Sequence, residues 1–148
     1  MKILLAVDGS PNGTLAVKTL IRQIPWFSDK PKLDLIYVHP PLRPIGSLLG
    51  TPLSQETLDK YYQDEAHHHL AESKRLLQDA IVPFETHVFI GEPALDICKF
   101  ANSHKSDLIY IGSRGMGAIG NLVLGSTATK ILHIAKIPVV IVPAETPE

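Results

Sequence analysis

Short apolar runs alternate with helix-like segments along the whole sequence, and this alternation restricts the possible folds more than any other feature. The runs lie at residues 3–8, 33–39, 84–90, 107–112 and 138–143. Runs of mostly aliphatic residues are typical of parallel strands that are buried on both faces. The order of strands and helices therefore predicts an α/β fold, in which helices cover both faces of a five-stranded parallel sheet.

The segments between the runs carry apolar residues at helical spacing, which predicts helices at residues 10–24, 54–80, 93–104 and 126–136. The first helix begins at Ser10-Pro11, where the serine would cap the helix N-terminus and the proline would occupy the first helical position. Residues 40–53 contain several prolines and predict the one long loop of the chain. Because long loops often carry function, we expect this loop to influence access of a ligand or partner.

Composition and charge exclude several functional classes. The 148 residues carry a net charge of −1 and no basic stripe, which argues against a nucleic-acid-binding surface. The apolar run at residues 3–7 is too short for a signal peptide, and no run is long enough to span a membrane. The single cysteine, Cys98, fits a reducing compartment and lies among apolar residues, which predicts a buried structural thiol. We expect a single domain over residues 1–148, located in the cytoplasm.

A glycine-rich segment follows the fourth predicted strand. Its sequence is LIYIGSRGMGAIGNLVLGST, with Ser126 directly after glycines at positions 112, 115, 117, 120 and 125. Glycine lets the backbone turn tightly and lets its N–H groups approach an anion, because no Cβ is in the way. A helix that begins at Ser126 would add its own free N–H groups and the positive end of its dipole. The segment therefore predicts a phosphate-binding loop.

Two common phosphate-binding motifs do not fit this segment. A literal G-x-G-x-x-G occurs at Gly115, Gly117 and Gly120, but the dinucleotide fingerprint also needs an acid about 20 residues later. Residues 134–140 contain no acid, and no lysine precedes Ser126 as the Walker motif would require. We therefore interpret Gly117 and Gly120 as loop glycines. The pattern that remains is G-x2-G-x9-G-S, formed by Gly112, Gly115, Gly125 and Ser126.

This spacing resembles the ATP-binding branch of the universal stress protein family. The resemblance covers almost the whole chain, through the segments VDGSPNG at 7–13, GEPALDI at 91–97 and STATKILHIAKIPVVIVP at 126–143. It implies a five-stranded parallel sheet in the order 3-2-1-4-5. It also implies a homodimer in which the strand at 138–143, an apolar sheet edge, pairs with its symmetry mate.

The same resemblance implies how an adenine nucleotide would bind. Asp8 would contact the ribose or the edge of the adenine, and the backbone near Val38 would hydrogen-bond to the adenine. Phosphates would be held by the Ser126 hydroxyl and by the backbone N–H groups of Gly112, Gly115, Gly125 and Ser126. From its position inside the motif, we infer that Arg114 pairs with phosphate oxygens, which its planar guanidinium suits. Mg²⁺ would bridge the phosphates, so no separate metal site is predicted.

The resemblance implies an ATP-binding regulatory or protective module in the stress response. No water-positioning acid is evident in the motif, so at most weak ATP hydrolysis is expected and no catalytic residue is assigned. Two alternatives remain open: a dimeric interaction protein that needs no nucleotide, and an adenylate-forming enzyme of the wider adenine-nucleotide α-hydrolase group. The loop after the first strand, DGSPNG, matches neither phosphate loop of that enzyme group. An unidentified protein partner is compatible with each of these functions.

The histidines offer a weaker signal. Consecutive helical residues point about 100° apart, so His67, His68 and His69 cannot converge on one metal ion. Glu65 and His69, or Asp64 and His68, are spaced i,i+4 and could form a weak surface site, but we expect a solvated helix face. His39 ends the second strand, where bordering a pocket and packing at the strand end are equally compatible with the pattern.

Overall fold

A computed structural model describes residues 1–42, 53–115 and 124–145, and these residues form one parallel sheet between two layers of helices. The elements are β1 (Lys2–Ala6), α1 (Pro11–Gln23), β2 (Lys32–His39), α2 (Gln55–Asp79), β3 (Phe84–Ile90), α3 (Pro93–Ser103), β4 (Leu108–Gly112), α4 (Ser126–Ile134) and β5 (Val139–Val142). A short 3-10 turn, Ile24–Trp26, follows α1. Most of the predicted long loop at 40–53, together with Gly117 and Gly120, lies outside the described residues.

The sheet has the strand order β3-β2-β1-β4-β5, with every pair parallel. This confirms the predicted order 3-2-1-4-5. The central strand β1 pairs with β2 on one side and with β4 on the other, so that Ala6 lies opposite both Ile36 and Ile111. The chain therefore reverses its direction of winding at β1, and the crossovers on the two sides of β1 leave a cleft at the carboxyl ends of β1 and β4.

Two apolar layers, one on each face of the sheet, explain why the strands are apolar without alternation. Leu4 and Leu5 are both fully buried, yet successive strand residues point to opposite faces. Leu5 belongs to the layer that includes Val17 of α1 and Leu70 of α2, whereas Leu4 belongs to the layer that includes residues of α3 and α4 such as Ile97 and Ile131. Both faces of β1 are thus in the core, as the sequence predicted.

Helix caps confirm the predicted helix starts, while some predicted ends are shifted. The Ser10 hydroxyl accepts a hydrogen bond from the Gly13 N–H at 3.0 Å, and Pro11 occupies the first turn of α1. The first strand, predicted at 3–8, ends at Ala6, because the chain is already turning at Gly9 with φ +80°. The helix predicted at 126–136 ends at Ile134, since the next residue is extended.

The long helix α2 lies on the sheet with a narrow apolar stripe. Its buried residues follow helical spacing: Ala66, Leu70, Ser73 and Leu77. Its other faces carry many charged residues. Within the described ranges, no helix is both long enough and apolar enough to cross a lipid bilayer.

Candidate functional site

A cavity of about 480 Å³ opens at the carboxyl ends of β1, β2 and β4, where the winding direction reverses. Ligand sites of parallel α/β sheets lie at this position. The cavity is lined by all seven residues that the sequence singled out: Asp8, Val38, Gly112, Arg114, Gly115, Gly125 and Ser126. Residues more than 100 positions apart in the chain are thus brought into one site.

Two of these glycines lie very close to the segment that contains Asp8 and the start of α1. A Cβ atom on Gly112 would lie 2.8 Å from the backbone oxygen of Asn12, and one on Gly115 would lie 2.5 Å from Asp8 Oδ2. Both distances are far below normal van der Waals contact. The loop after β4 therefore lies directly against the segment that leads into α1, and its residues line the cavity.

Asp8 occupies the floor of the cavity between these two segments. Its Oδ1 accepts a hydrogen bond from the Ser10 N–H at 2.9 Å. The N-terminus of α1 is close by, since a Cβ on Gly13 would lie 3.1 Å from the same oxygen. A helix N-terminus carries a partial positive charge and stabilises a nearby carboxylate. The Asp8 carboxylate is thereby oriented in the site, where it can accept hydrogen bonds from hydroxyl or amino groups of a ligand.

Val38 lies near the carboxyl end of β2 and presents its backbone towards the cleft. In a parallel strand, alternate residues direct their N–H and C=O groups to opposite neighbouring strands. The carbonyl of His39 accepts from the Gly91 N–H just beyond β3, so the backbone of Val38 faces the β1 side. Because β1 has already ended at Ala6, this side opens onto the cavity.

The N-terminus of α4 forms the opposite wall. Gly125 is its N-cap and has no side chain to cap the helix, while Ser126 and Thr127 of the first turn line the cavity. The Gly125 N–H donates to the Ser113 carbonyl at 2.6 Å, which fixes the helix start against the loop after β4. The free N–H groups of the first helical turn are donors for an anion.

Arg114 adds a cation at the same wall. Its Nε atom is buried and makes no hydrogen bond with any residue in the described parts of the chain. A buried guanidinium N–H without a partner is costly, and an anionic ligand would satisfy it.

Asn12 and Ser113 are parts of the site that carried no clear sequence signal. With its amide oxygen turned to the loop, Asn12 accepts a hydrogen bond from the Arg114 N–H at 2.8 Å. Ser113 is buried, its N–H donates to the Val142 carbonyl at 2.8 Å, and its hydroxyl accepts from the Ala144 N–H at 3.0 Å. These contacts hold the loop after β4 between α1 and the end of β5. The sequence shows only that Asn12 is a polar residue in the first turn of α1. Its role could not be predicted from that, because the residue it contacts, Arg114, is over 100 positions away.

Aromatic and histidine side chains form the wall contributed by β2 and α2. Tyr37, His39 and His69 all line the cavity, and the ring centroids of Tyr37 and His69 are 5.3 Å apart. Glu65 lies between the imidazoles, with Oε2 at 3.2 Å from His69 Nε2 and 3.8 Å from His39 Nε2. His39 therefore borders the pocket. The prediction that the three consecutive histidines all lie on a solvated face was wrong for His69, because α2 packs this residue against the end of β2.

The raised pKa of Tyr37, which lines this wall, should make the stability of the protein depend on pH. Burial, with smaller contributions from the charges of Glu65, Tyr61 and Asp8, raises its pKa from 10.0 to about 12. Since the folded state holds the phenol proton more tightly than the unfolded state, this contribution to stability is complete below pH 10 and is lost as the pH rises towards 12. We expect the free energy of unfolding in urea to fall by about 1 kcal/mol more between pH 9.5 and 11 in the wild type than in Tyr37→Phe.

The control for that measurement is Tyr62→Phe, which removes a different phenol and keeps Tyr37. It should follow the wild-type pH dependence. Equal slopes for the wild type and Tyr37→Phe would contradict the raised pKa of Tyr37.

Cys98 lies apart from the cleft, in a second cavity of about 230 Å³ between α3 and the segment that follows α4. It is half-buried rather than fully buried as predicted, because α3 leaves one side of it open to this groove. Burial and the nearby Glu92 carboxylate raise the pKa of the thiol. A raised pKa disfavours the nucleophilic thiolate, which agrees with the predicted structural role.

The strand order and the position of the cleft define the doubly wound α/β class, in which a glycine-containing turn and a helix N-terminus meet at the switch point. A model of the universal stress protein family matches residues 1–143. The chain belongs to the universal stress protein family.

Curated relatives agree with this assignment. A universal stress protein of Thermus aquaticus is 35% identical over 141 residues, which cover 95% of this chain and 96% of the relative. A universal stress protein of Mycolicibacterium smegmatis is 30% identical over 148 residues, which cover 95% of this chain but only 47% of the relative. The chain thus spans nearly all of some relatives and about half of others.

Solved structures show the same fold. The hypothetical protein MJ0577 superposes with a TM-score of 0.81 at 23% identity, over 99% of this chain and 97% of that one. A universal stress protein in complex with cAMP gives a TM-score of 0.69 at 19% identity, over 96% of both chains. An Arabidopsis thaliana family member with AMP bound gives 0.64 at 17% identity, over 96% of this chain and 90% of that one. At these identities the likeness establishes the fold, and the nucleotides are properties of those proteins.

Proposed function

We propose that the cleft binds an adenine nucleotide, preferentially ATP, and that occupancy regulates a protective function in the stress response. The observation that carries this proposal is the convergence of the seven predicted site residues on one cavity of about 480 Å³. This volume is within the range of about 300–1,000 Å³ that is usual for small-molecule sites. Family members that hold cAMP and AMP support the choice of an adenine nucleotide.

The phosphates would bind at the wall formed by the loop after β4 and the start of α4. Gly112 and Gly115 line the cavity there, and Gly125 and Ser126 begin a helix whose dipole favours an anion. The buried Arg114 Nε would gain a charged partner from a phosphate oxygen. The helix N-terminus and the unpartnered Arg114 Nε support phosphate binding beyond the spacing of the glycines.

The nucleoside would bind beside this wall, between Asp8 and the carboxyl end of β2. The backbone of Val38 offers one donor and one acceptor on the side that β1 leaves open, which suits the edge of an adenine. Asp8, oriented by the Ser10 N–H, can accept from ribose hydroxyls or from the adenine amino group. Apolar lining residues on β4 and α3, Ile111 and Ile97, would contact the base.

Mg²⁺ would bind through the phosphates rather than through a protein cage. Asp8 is the one carboxylate among the described residues that line the cavity, and Mg²⁺ usually combines one or two carboxylates with phosphates and water. When bound, the ion would offset phosphate charge. The same shortage of carboxylates disfavours rapid hydrolysis, which needs a group to orient the attacking water. We therefore propose binding with slow or no turnover.

Calorimetric titration with Mg-ATP tests the proposal. The wild type should bind with a dissociation constant below about 1 mM, equivalent to more than about 4 kcal/mol. Ser126→Ala should weaken binding about 3- to 12-fold, because it removes one hydroxyl hydrogen bond to phosphate. Ser28→Ala, at an exposed loop position, is the matched control and should bind as the wild type does.

A series of ATP, ADP, AMP and cAMP would then rank the contribution of each phosphate. Absence of binding for all four nucleotides at 1 mM would contradict the proposal and favour a nucleotide-independent interaction protein.

We also propose that the protein forms a two-fold homodimer through β5. This strand is one edge of the sheet, and its residues Val139, Val140 and Ile141 are only half-buried in a single chain. An apolar edge strand is prone to pair with another strand, and pairing with a symmetry mate would cover it.

A further inference from the structure

A polar cluster lies on the sheet face that α3 covers, away from the nucleotide cleft. Asp34 on β2 lies opposite Glu85 on β3, and His87 follows two residues after Glu85 on the same face. Asp34 precedes Val38 by four strand residues, which places the cluster about 13 Å from the cleft along β2. The cluster is therefore a separate feature of the molecule.

The three side chains converge closely. His87 Nε2 lies 2.7 Å from Asp34 Oδ1, and one potential ligand atom from each of the three residues lies within 4.8 Å of the others. The side chains of His87 and Asp34 are only 21% and 14% exposed, whereas Glu85 is exposed. Two largely buried ligands and one accessible carboxylate give a site that an ion can enter from solvent.

The electrostatics of the cluster favour a cation. Two carboxylates directly opposite each other on adjacent strands repel one another, and a cation between them would relieve this repulsion. The carboxyl end of α3 packs onto the same group and carries a partial negative charge. This helix end already attracts one cation, since Lys2 Nζ donates to the His104 carbonyl at 3.1 Å.

Packing orients the imidazole ring for coordination. The ring of His87 lies against Phe100, with centroids 4.4 Å apart, and Phe100 in turn stacks on His104 at 3.8 Å. This aromatic contact holds the ring with Nε2 directed at Asp34. A ligand held in this way loses little rotamer freedom when it binds a metal.

We propose that Asp34, Glu85 and His87 bind a divalent transition-metal ion, with Zn²⁺ as the ion that this ligand set suits. One imidazole nitrogen with two carboxylates is a borderline ligand set, which favours Zn²⁺ over Mg²⁺ or Ca²⁺. Bonds of about 2.0–2.2 Å require ligand atoms roughly 3–3.5 Å apart, and rotation of the exposed Glu85 side chain can close the remaining gap. Water completes the coordination.

Zinc titration of chelator-treated protein that carries no histidine tag tests the site. Competition with a chromophoric zinc chelator should give one Zn²⁺ per chain with a dissociation constant of about 10 μM or lower, in the absence of nucleotide. His87→Ala and Asp34→Asn should each weaken binding at least tenfold. Glu85→Gln should also weaken it, and because Glu85 is exposed this variant keeps the fold.

The matched control is His68→Ala, which removes an exposed histidine of α2 and should leave zinc binding unchanged. Zinc should raise the melting temperature of the wild type and of His68→Ala but not that of His87→Ala. The proposal is overturned if the wild type binds no Zn²⁺ at 100 μM. It is also overturned if His87→Ala binds as the wild type does while His68→Ala or His69→Ala loses binding. Since no nucleotide is used, these outcomes are independent of the proposed function.

Discussion

Replacing Gly115 with valine is expected to weaken binding of Mg-ATP at least about 100-fold, a loss of roughly 2.7 kcal/mol or more. A Cβ at this position would lie 2.5 Å from Asp8 Oδ2, so either the loop after β4 or the Asp8 carboxylate must move. Because one contact joins the proposed phosphate and nucleoside ends of the site, the substitution disturbs both. Calorimetric titration of the variant against the wild type measures the effect.

Gly115→Ala provides the graded comparison for this experiment. Its single added carbon already meets Asp8, so we expect an affinity between those of the wild type and of Gly115→Val. Thermal unfolding of both variants separates loss of the site from loss of the fold, since the position is exposed and lies outside the apolar core. Binding by folded Gly115→Val within threefold of the wild type would refute the assignment of this loop.

Replacing Ile141 with proline should convert the proposed dimer into a monomer. Val142 directs its carbonyl to β4, where the Ser113 N–H binds it, so the neighbouring Ile141 directs its N–H to the open edge. Proline removes that outward donor and leaves the hydrogen bonds between β4 and β5 in place. Light scattering coupled to size exclusion should change from about twice 16.2 kDa to 16.2 kDa.

Ile141→Val is the matched control, because it keeps the outward N–H and an apolar side chain. It should remain dimeric at the same micromolar concentration. A wild type that is monomeric under these conditions, or an Ile141→Pro variant that stays dimeric, would exclude pairing through β5.

The positions of the strands and helices could be predicted from the sequence because the strand patterns and the helix-capping residues indicate the same elements. Leu4 and Leu5 are adjacent and both apolar, which predicts a strand buried on both faces, and the Ser10-Pro11 pair marks the following helix start. The glycines of the site could also be predicted, because close contacts at these positions leave little space for a side chain. A Cβ atom on Gly112 would lie 2.8 Å from the backbone of Asn12, and one on Gly115 would lie 2.5 Å from the Asp8 carboxylate, so both positions favour glycine.

Side-chain contacts between distant segments, other than those that the family resemblance implied, could not be predicted from the sequence. His69 lies beside the buried stripe of α2, but its position at the cleft depends on how α2 crosses the end of β2. The pairing of Asp34 with His87 depends on the register of two parallel strands, which a long crossover connects and no local turn fixes. Likewise, Asn12 at the start of α1 accepts a hydrogen bond from the N–H of Arg114, which lies in the loop after β4.

Ser113 lines the cleft and also makes hydrogen bonds to the end of β5. Its N–H binds the Val142 carbonyl and its hydroxyl binds the Ala144 N–H, while its carbonyl receives the Gly125 N–H at the start of α4. In the proposed dimer, a ligand that shifts this residue would shift the subunit edge as well. Thermodynamic linkage then makes the effect reciprocal, so that any factor by which ligand tightens dimerisation also tightens ligand binding in the dimer. Where monomer and dimer coexist, the concentration of the protein itself would then set its apparent affinity for the nucleotide.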